Sequence, residues 1–489
     1  MASENLETPN TTGNGSQNKL KATTKLAWGS GALADAMMAN VISYLALPIY
    51  NIALGVDPRW LGWAMGLPRI WDAISDPVLG NISDNTRSRW GRRRPFIFVG
   101  AILSGIFFAV LWMPPASFSA RAMGYYFLVT SFFFYTAYTI FVVPWNAMGL
   151  ELTTDYDERT RVQAYRTFMQ SIGGLLLGTL WWLSIKIGGE GNEVYGVKIV
   201  GIIFGVYVMI TGMLPAIFCR SQISVPSQKK IPFIAAITTT AKNKTFILLG
   251  AIMFFLLIGL FLVNSFSNYI NIYYVFGGSK EGTSKIAMIA NFVFQTTGIG
   301  LVPLVSYLAV RFGKKRILLA GLTSVMAAYF TTWFFYTPKA PYLQLISLGM
   351  MAPGLSCVWV ITASMLADIC DVEEYHTGLR REGMYGAAFS WIIKAGIAFT
   401  LVGAGYMIDF SGYDSSLAMQ TEDTILKMRL LYMLVPVAFI GTSFILVCFY
   451  PLTREKVEQI RHEINARNNA PNNPVDGTIE TINDDDPVI

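Results

Sequence analysis

Arg89-Trp90-Gly91-Arg92-Arg93-Arg94 runs basic, aromatic, glycine, then three basic residues, and Arg311-Phe312-Gly313-Lys314-Lys315-Arg316 repeats that order 222 residues later. Each block follows a long apolar run. A second pair lies downstream of the first: Asp155-x-Asp157-Glu158 is echoed by Asp371-x-Glu373-Glu374. The same loop types recurring six helices later predict two parallel six-helix halves facing a central cavity.

The rest of the chain agrees with that frame. Of 489 residues, 53 % are hydrophobic, 14 % aromatic and only 14 % charged, and the mean hydropathy is +0.45. A soluble protein carries about 25 % charged residues, so a soluble multidomain enzyme is not expected, and a disordered or collagen-like chain is excluded. A helical span needs about 20 mainly apolar residues. Twelve such spans are expected at 27–53, 59–82, 95–114, 122–150, 163–187, 198–219, 245–276, 284–310, 316–336, 342–369, 384–408 and 429–451, with spans 2, 4 and 5 the least apolar. Lipid offers backbone groups no partners, so each is read as a helix. The fold class is an all-α membrane protein of two pseudo-symmetric six-helix halves. The expected organisation is a disordered tail over 1–24, halves over 25–219 and 245–452, a basic linker over 220–244 and a tail over 453–489.

Charge sidedness sets an expected orientation. With both termini cytoplasmic, that side holds about 26 Lys and Arg and the opposite loops about nine, as the positive-inside rule requires. The expected location is the plasma (inner) membrane. Residues 1–24 lack a cleavable apolar stretch, so the first span is expected to direct insertion. Cys219, Cys357, Cys370 and Cys448 are far apart, and with only two histidines in the chain neither disulfide nor zinc spacing is present. No catalytic Ser/His/Asp set exists, so the chain is not read as an enzyme, and no nucleic-acid partner is expected.

Charges inside spans carry the functional reading. One charged side chain at mid-bilayer costs about 2.5–3.5 kcal/mol on insertion scales. Asp35 lies in span 1, Arg69, Asp72 and Asp76 in span 2, and Lys394 in span 11; Arg166 is near the start of span 5. Asp72 and Asp76 are four apart and share a helix face, with Arg69 one turn before. Two buried carboxylates repel, and a bound proton or Na⁺ relieves them. Ser75 and Thr139 offer neutral oxygens. The competing reading is a fixed salt-bridge network. Lys394 is expected to sense whether the carboxylates are loaded.

A sugar needs an aromatic plate and polar groups around it. Trp145, Trp359, Tyr138 and Tyr385 flank polar positions, and Asp35, Asn40, Asn146, Arg166 and Ser390 could supply hydrogen bonds. The block at 84–95 reads as an anchor on anionic lipid. It also reads as a gate, in which Arg89, Arg92 and Arg93 pair with Glu151, Asp155 and Asp368 to close the cytoplasmic side.

Arg69-Ile70-Trp71-Asp72-Ala73-Ile74-Ser75-Asp76-Pro77, followed by Thr86-Arg87-Ser88-Arg89-Trp90-Gly91, resembles the glycoside–pentoside–hexuronide:cation symporters of the major facilitator superfamily, melibiose permease among them. Ala367-Asp368-Ile369-Cys370-Asp371-x-x-Glu374-Tyr375 and Lys394 extend the likeness. The resemblance implies that Asp72, Asp76 and Thr139 bind the cation and that Lys394 links the cation and sugar sites. It also implies that Trp359 and Arg166 contact the sugar. Ser75 stands where that permease has Asn, which leaves Na⁺ or H⁺ open. Val142, Asn146 and a one-residue displacement of Asp35 depart from its sugar pocket. Arg92-Arg93-Arg94-Pro95-Phe96-Ile97 is similar to the proton-coupled sucrose transporters.

The expected function is therefore uptake of a sugar, glycoside or sugar acid with Na⁺ or H⁺ by alternating access. The working unit is a monomer with no cofactor beyond the co-transported ion. A lipid or amphiphile transporter on the same scaffold and a non-transporting sugar sensor are the alternatives.

Overall fold

The computed structural model describes residues 20–153, 155–219, 240, 242–377 and 381–469. The tail over 1–19, most of the 220–244 segment and the end of the chain from 470 lie outside them. The described residues hold twelve long helical segments, called here α1–α12, and a thirteenth, polar one. These are α1 (Ala22–Ala53), α2 (Pro58–Asn85), α3 (Arg94–Leu111), α4 (Ala120–Glu151), α5 (Tyr156–Leu177, continued by Thr179–Gly188) and α6 (Glu193–Phe218). The second half holds α7 (Lys244–Val275), α8 (Lys280–Phe312), α9 (Lys314–Phe335), α10 (Pro341–Thr377), α11 (Glu382–Phe410) and α12 (Glu422–Cys448). The polar helix α13 follows (Arg454–Asn469). Among the described residues no strand is present.

Helix starts are written in the loops. Asp57 accepts from the Trp60 amide at 3.0 Å, Asp155 from Glu158 at 2.8 Å, Asn243 from Phe246 at 3.0 Å and Ser279 from Gly282 at 3.1 Å. Each satisfies an amide that the first helical turn leaves unpaired. The glycine of the repeated block has the same job in both copies: Gly91 sits at φ 96° and Gly313 at φ 89°. Side-chain-bearing residues rarely adopt that conformation.

Helix packing repeats with a shift of six. In the first half α1 packs on α5 and α6, α3 on α4 and α6, and α2 on α4. In the second α7 packs on α11 and α12, α9 on α10 and α12, and α8 on α10. Even the π-helical ends correspond, Leu47–Ala53 in α1 and Asn271–Val275 in α7. Beside them the halves touch, where Tyr269 Oη, two residues before the second, donates to Asn51 Oδ1 in the first at 2.6 Å.

Eleven of the twelve are apolar enough to cross a membrane alone; α2 is not among them. It crosses as a helix packed against α4 and α11. The two halves meet along two seams, α2 with α11 and α5 with α8. These seams exchange under the same six-helix shift. The α2–α11 seam is backbone on backbone: a Cβ at Gly405 would fall 2.1 Å from the Pro58 carbonyl oxygen, and one at Gly62 2.8 Å from that of Val402. We expect Gly405→Ala to wedge this seam and cost about 1–3 kcal/mol. Thermal unfolding of the purified protein measures it, and an unchanged midpoint would show that the seam is looser than described.

One face of the molecule carries the basic loops after α2 and α8; the other is called the opposite face. Near the opposite face the halves are tied by Arg59–Asp409 at 3.5 Å, Lys280–Glu193 at 2.9 Å, Lys186–Glu281 at 3.0 Å and Trp63 Nε1 to Tyr406 Oη at 3.0 Å.

Candidate functional site

Midway along the α2–α11 seam, the span-2 carboxylates meet Lys394. Its Nζ lies 2.8 Å from Asp72 Oδ2 and donates to Asp76 Oδ2. Arg69 approaches Asp72 Oδ2 at 3.4 Å, and Thr139 of α4 donates to Asp72 Oδ1 at 2.8 Å. Ser75 Oγ lies 3.2 Å from Thr139 Oγ1. All six residues named from the sequence for cation binding and coupling are thus within one cluster. The helix supplies the geometry: residues 69, 72, 75 and 76 fall on one face of α2.

The two carboxylates differ. The Asp72 side chain is 0 % exposed and held by three neighbours, whereas Asp76 is 31 % exposed and Lys394 19 %. Asp76 Oδ1 has no hydrogen-bond partner. Every hydrogen bond and ion pair joining described residues of the two halves lies at this cluster or toward the opposite face. The cluster can exchange one cation for another: an ammonium bridges the carboxylates, and a small cation or proton could take its place.

A second polar cluster belongs to the first half alone. Tyr138 Oη donates to Asp35 Oδ1 at 2.8 Å, and Gln170 Nε2 approaches Asp35 Oδ2 at 3.5 Å. Gln170 is not among the residues singled out in the sequence. The Arg166 guanidinium lies 4.9 Å over the Trp145 ring, with its Nε unpartnered, and Asn146 Oδ1 is likewise buried without a partner. Asn40 donates to the Ala36 carbonyl.

Several residues sit elsewhere than the sequence reading placed them. Trp145 is fully buried, stacked on Trp28 at 5.4 Å and on Phe141 at 5.8 Å, so its ring faces are taken and it is no sugar plate. Tyr385 is fully buried, donating to Glu373 at 3.0 Å and accepting from Asn243 at 3.2 Å. It lies at the basic end of α11, away from the cavity. Ser390 is exposed one turn from Lys394 toward that end. Trp359 is 45 % exposed and lines a cavity of 260 Å³ between the halves.

The expected gate is also rearranged. Arg92 and Arg93 both pair with Glu151, Arg93 at 3.1 Å and also with Asp84 at 3.0 Å. Arg89 lines a surface cavity beside them. All of these belong to the first half. Asp368 pairs instead with Lys314 and with Arg461 of α13 at 3.2 Å, and Arg461 also holds Asp371 at 2.7 Å. Asp368 and the arginines are thus in different halves and do not meet: each half ties its own basic block to its own acid.

Two repeated six-helix halves, joined through a charged cluster at mid-membrane, define a transporter of the major facilitator type. The chain belongs to the MFS/sugar transport protein family, whose model matches residues 27–454. It is 27 % identical to the uncharacterized symporter sll1374 of Synechocystis, over 92 % of this chain and 98 % of that one. It is 24 % identical to a glucuronide carrier protein homolog of Escherichia coli, over 91 % and 95 %. A sodium-dependent lysophosphatidylcholine symporter of Xenopus tropicalis is 22 % identical, over 91 % and 90 %. The solved structure of a D-xylose–proton symporter superposes with a TM-score of 0.63 at 14 % identity, covering 86 % of this chain and 96 % of that one. The family resemblance read from the span-2 block holds, and the chain is a multi-pass membrane symporter.

Proposed function

We propose that the protein takes up a sugar or glycoside together with Na⁺ or H⁺, with both termini and the basic face in the cytoplasm of the plasma (inner) membrane. The observation that carries this reading is the bridge of Lys394 between Asp72 and Asp76. It joins the cation site to the seam between the halves. A cation loading Asp76 displaces the ammonium, so ion occupancy alters the tie between α2 and α11 directly. In this scheme the resting arrangement is open toward the basic face. In it Asp76 exchanges with the cytoplasm, and the polar ties near the opposite face keep the outer path shut. Rocking to the other state breaks those ties and carries the cluster to external water. Coupling is reciprocal: whatever factor the cation adds to sugar affinity, sugar adds to cation affinity.

In this scheme Asp35, Arg166 and Gln170 are polar contacts for the substrate on the first half, and the protein works as a monomer. The cavity beside Trp359 has no charged lining residue. That cavity offers the zwitterionic headgroup of a lysolipid no ionic partner, and the charged Asp35 and Arg166 lie outside it. The test is uptake into proteoliposomes of a saccharide panel under separate Na⁺ and H⁺ gradients. Accumulation of one saccharide driven by one of the two gradients is expected. Accumulation of none, with lysolipid uptake in its place, would overturn the reading.

A further inference from the structure

Helix α7 is interrupted: its first segment ends at Phe261 and the next begins at Phe266. Irregular backbone at membrane depth persists only where protein buries it or where it lines a cavity. Here the interruption borders the 260 Å³ cavity, to which it contributes Asn264 and Ser265 and the helical turn after it Asn268; Ser43 of α1 and Trp359 of α10 face the same space. Among the described residues, the side chains of Asn264, Asn268, Ser43 and Ser265 have no hydrogen-bond partner. Asn291, on the same wall, differs. Its Nδ2 donates to the Gly174 carbonyl at 2.9 Å and its Oδ1 accepts from Tyr44 Oη at 2.7 Å. Asn291 fastens the seam, whereas Asn264 and Asn268 are left for something in the cavity.

We propose that Asn264 and Asn268 form a subsite that reads the hydroxyls of a neutral sugar ring. The inference rests on the sugar reading above and narrows it. A carboxamide donates from nitrogen and accepts at oxygen, which suits two adjacent hydroxyls. The exposed Trp359 ring gives the C–H face of the sugar an apolar floor. A uronate carboxylate in this cavity would meet no cation, because no lining residue is charged. An acyl chain would leave both amides unsatisfied. The subsite therefore selects neutral saccharides, and the interruption of α7 turns its side chains into the cavity.

The test is sugar counterflow in proteoliposomes, using neutral saccharides, their uronic-acid counterparts and singly deoxygenated analogues. Wild-type protein is expected to prefer the neutral sugar. Asn264→Ala and Asn268→Ala are each expected to raise its half-saturating concentration about threefold to tenfold. A deoxy analogue that loses such a factor in wild type is expected to lose nothing further in the variant whose amide it no longer meets. A role confined to holding α7 would not produce that matching. Serine at the same positions keeps a donor and an acceptor; it is expected to recover part of the loss, and carries the comparison if the alanine variants fail to fold. Wild-type affinity in both variants, a preference for the uronate, or losses that add at every deoxy position would each overturn the subsite. Counterflow of no saccharide by wild-type protein would instead sink the sugar reading itself.

Discussion

Proteoliposomes containing Asp76→Asn are expected to bring their sugar to equal concentrations inside and out, and no further. One elementary charge crossing a potential of 100 mV carries about 2.3 kcal/mol. At about 1.4 kcal/mol per tenfold ratio, a one-to-one symporter can concentrate its sugar about fortyfold. The Asn side chain keeps the shape of the site and removes the charge that the travelling cation neutralises. Exchange of labelled for unlabelled sugar needs no net cation movement and survives. Asp76 is the sharper target of the pair, because it is partly exposed and has an unpartnered oxygen, whereas Asp72 is sealed by Thr139, Arg69 and Lys394. Asp72→Asn should give the same loss of accumulation with a larger loss of stability. Normal uphill uptake in both variants would end the cation-site assignment.

Replacing Lys394 by alanine is expected to stop coupled transport while strengthening cation binding. The ammonium is the internal competitor for the two carboxylates, and its removal leaves Arg69 as the nearby positive charge. A ligand that binds only the folded protein stabilises it by an amount that grows with the logarithm of its concentration relative to its Kd. Melting curves against rising Na⁺, or against falling pH, should therefore shift further for Lys394→Ala than for wild type. Uphill uptake should meanwhile fall to background. A variant that kept the wild-type stoichiometry of sugar to cation would reduce Lys394 to a static counter-ion.

Most of the architecture could be read because lipid allows few alternatives. Eleven spans announced themselves by length and apolarity. The twelfth, α2, was read as an apolar run too, though one of the least apolar, and it falls short of crossing alone by composition. Asp72 and Asp76 stood out because two carboxylates one turn apart are costly inside a membrane span. The substrate residues were harder. Trp145 looked like a platform because it neighbours Asn146, but nothing local revealed that Trp28 packs on it. Tyr385 lies nine residues before Lys394, about 13 Å along a helix, which puts it at another depth in the membrane. Asn264 and Asn268 were passed over because α7 is the most apolar span of all, with a hydropathy of 3.0. Two amides four residues apart at the end of that run were the available signal.

The two seams differ in what water can do to them. Where α5 meets α8, contact runs through Asn291 and the Gly174 and Leu175 carbonyls; hydration can replace such bonds at small net cost. Where α2 meets α11, glycine lies against bare main chain, and wetting it regains almost nothing. The outer mouth should consequently open lopsidedly, unzipping first along α5 and α8 and pivoting on the glycine contacts of α2 and α11. An incoming solute would then enter beside the very asparagine that had held the mouth closed.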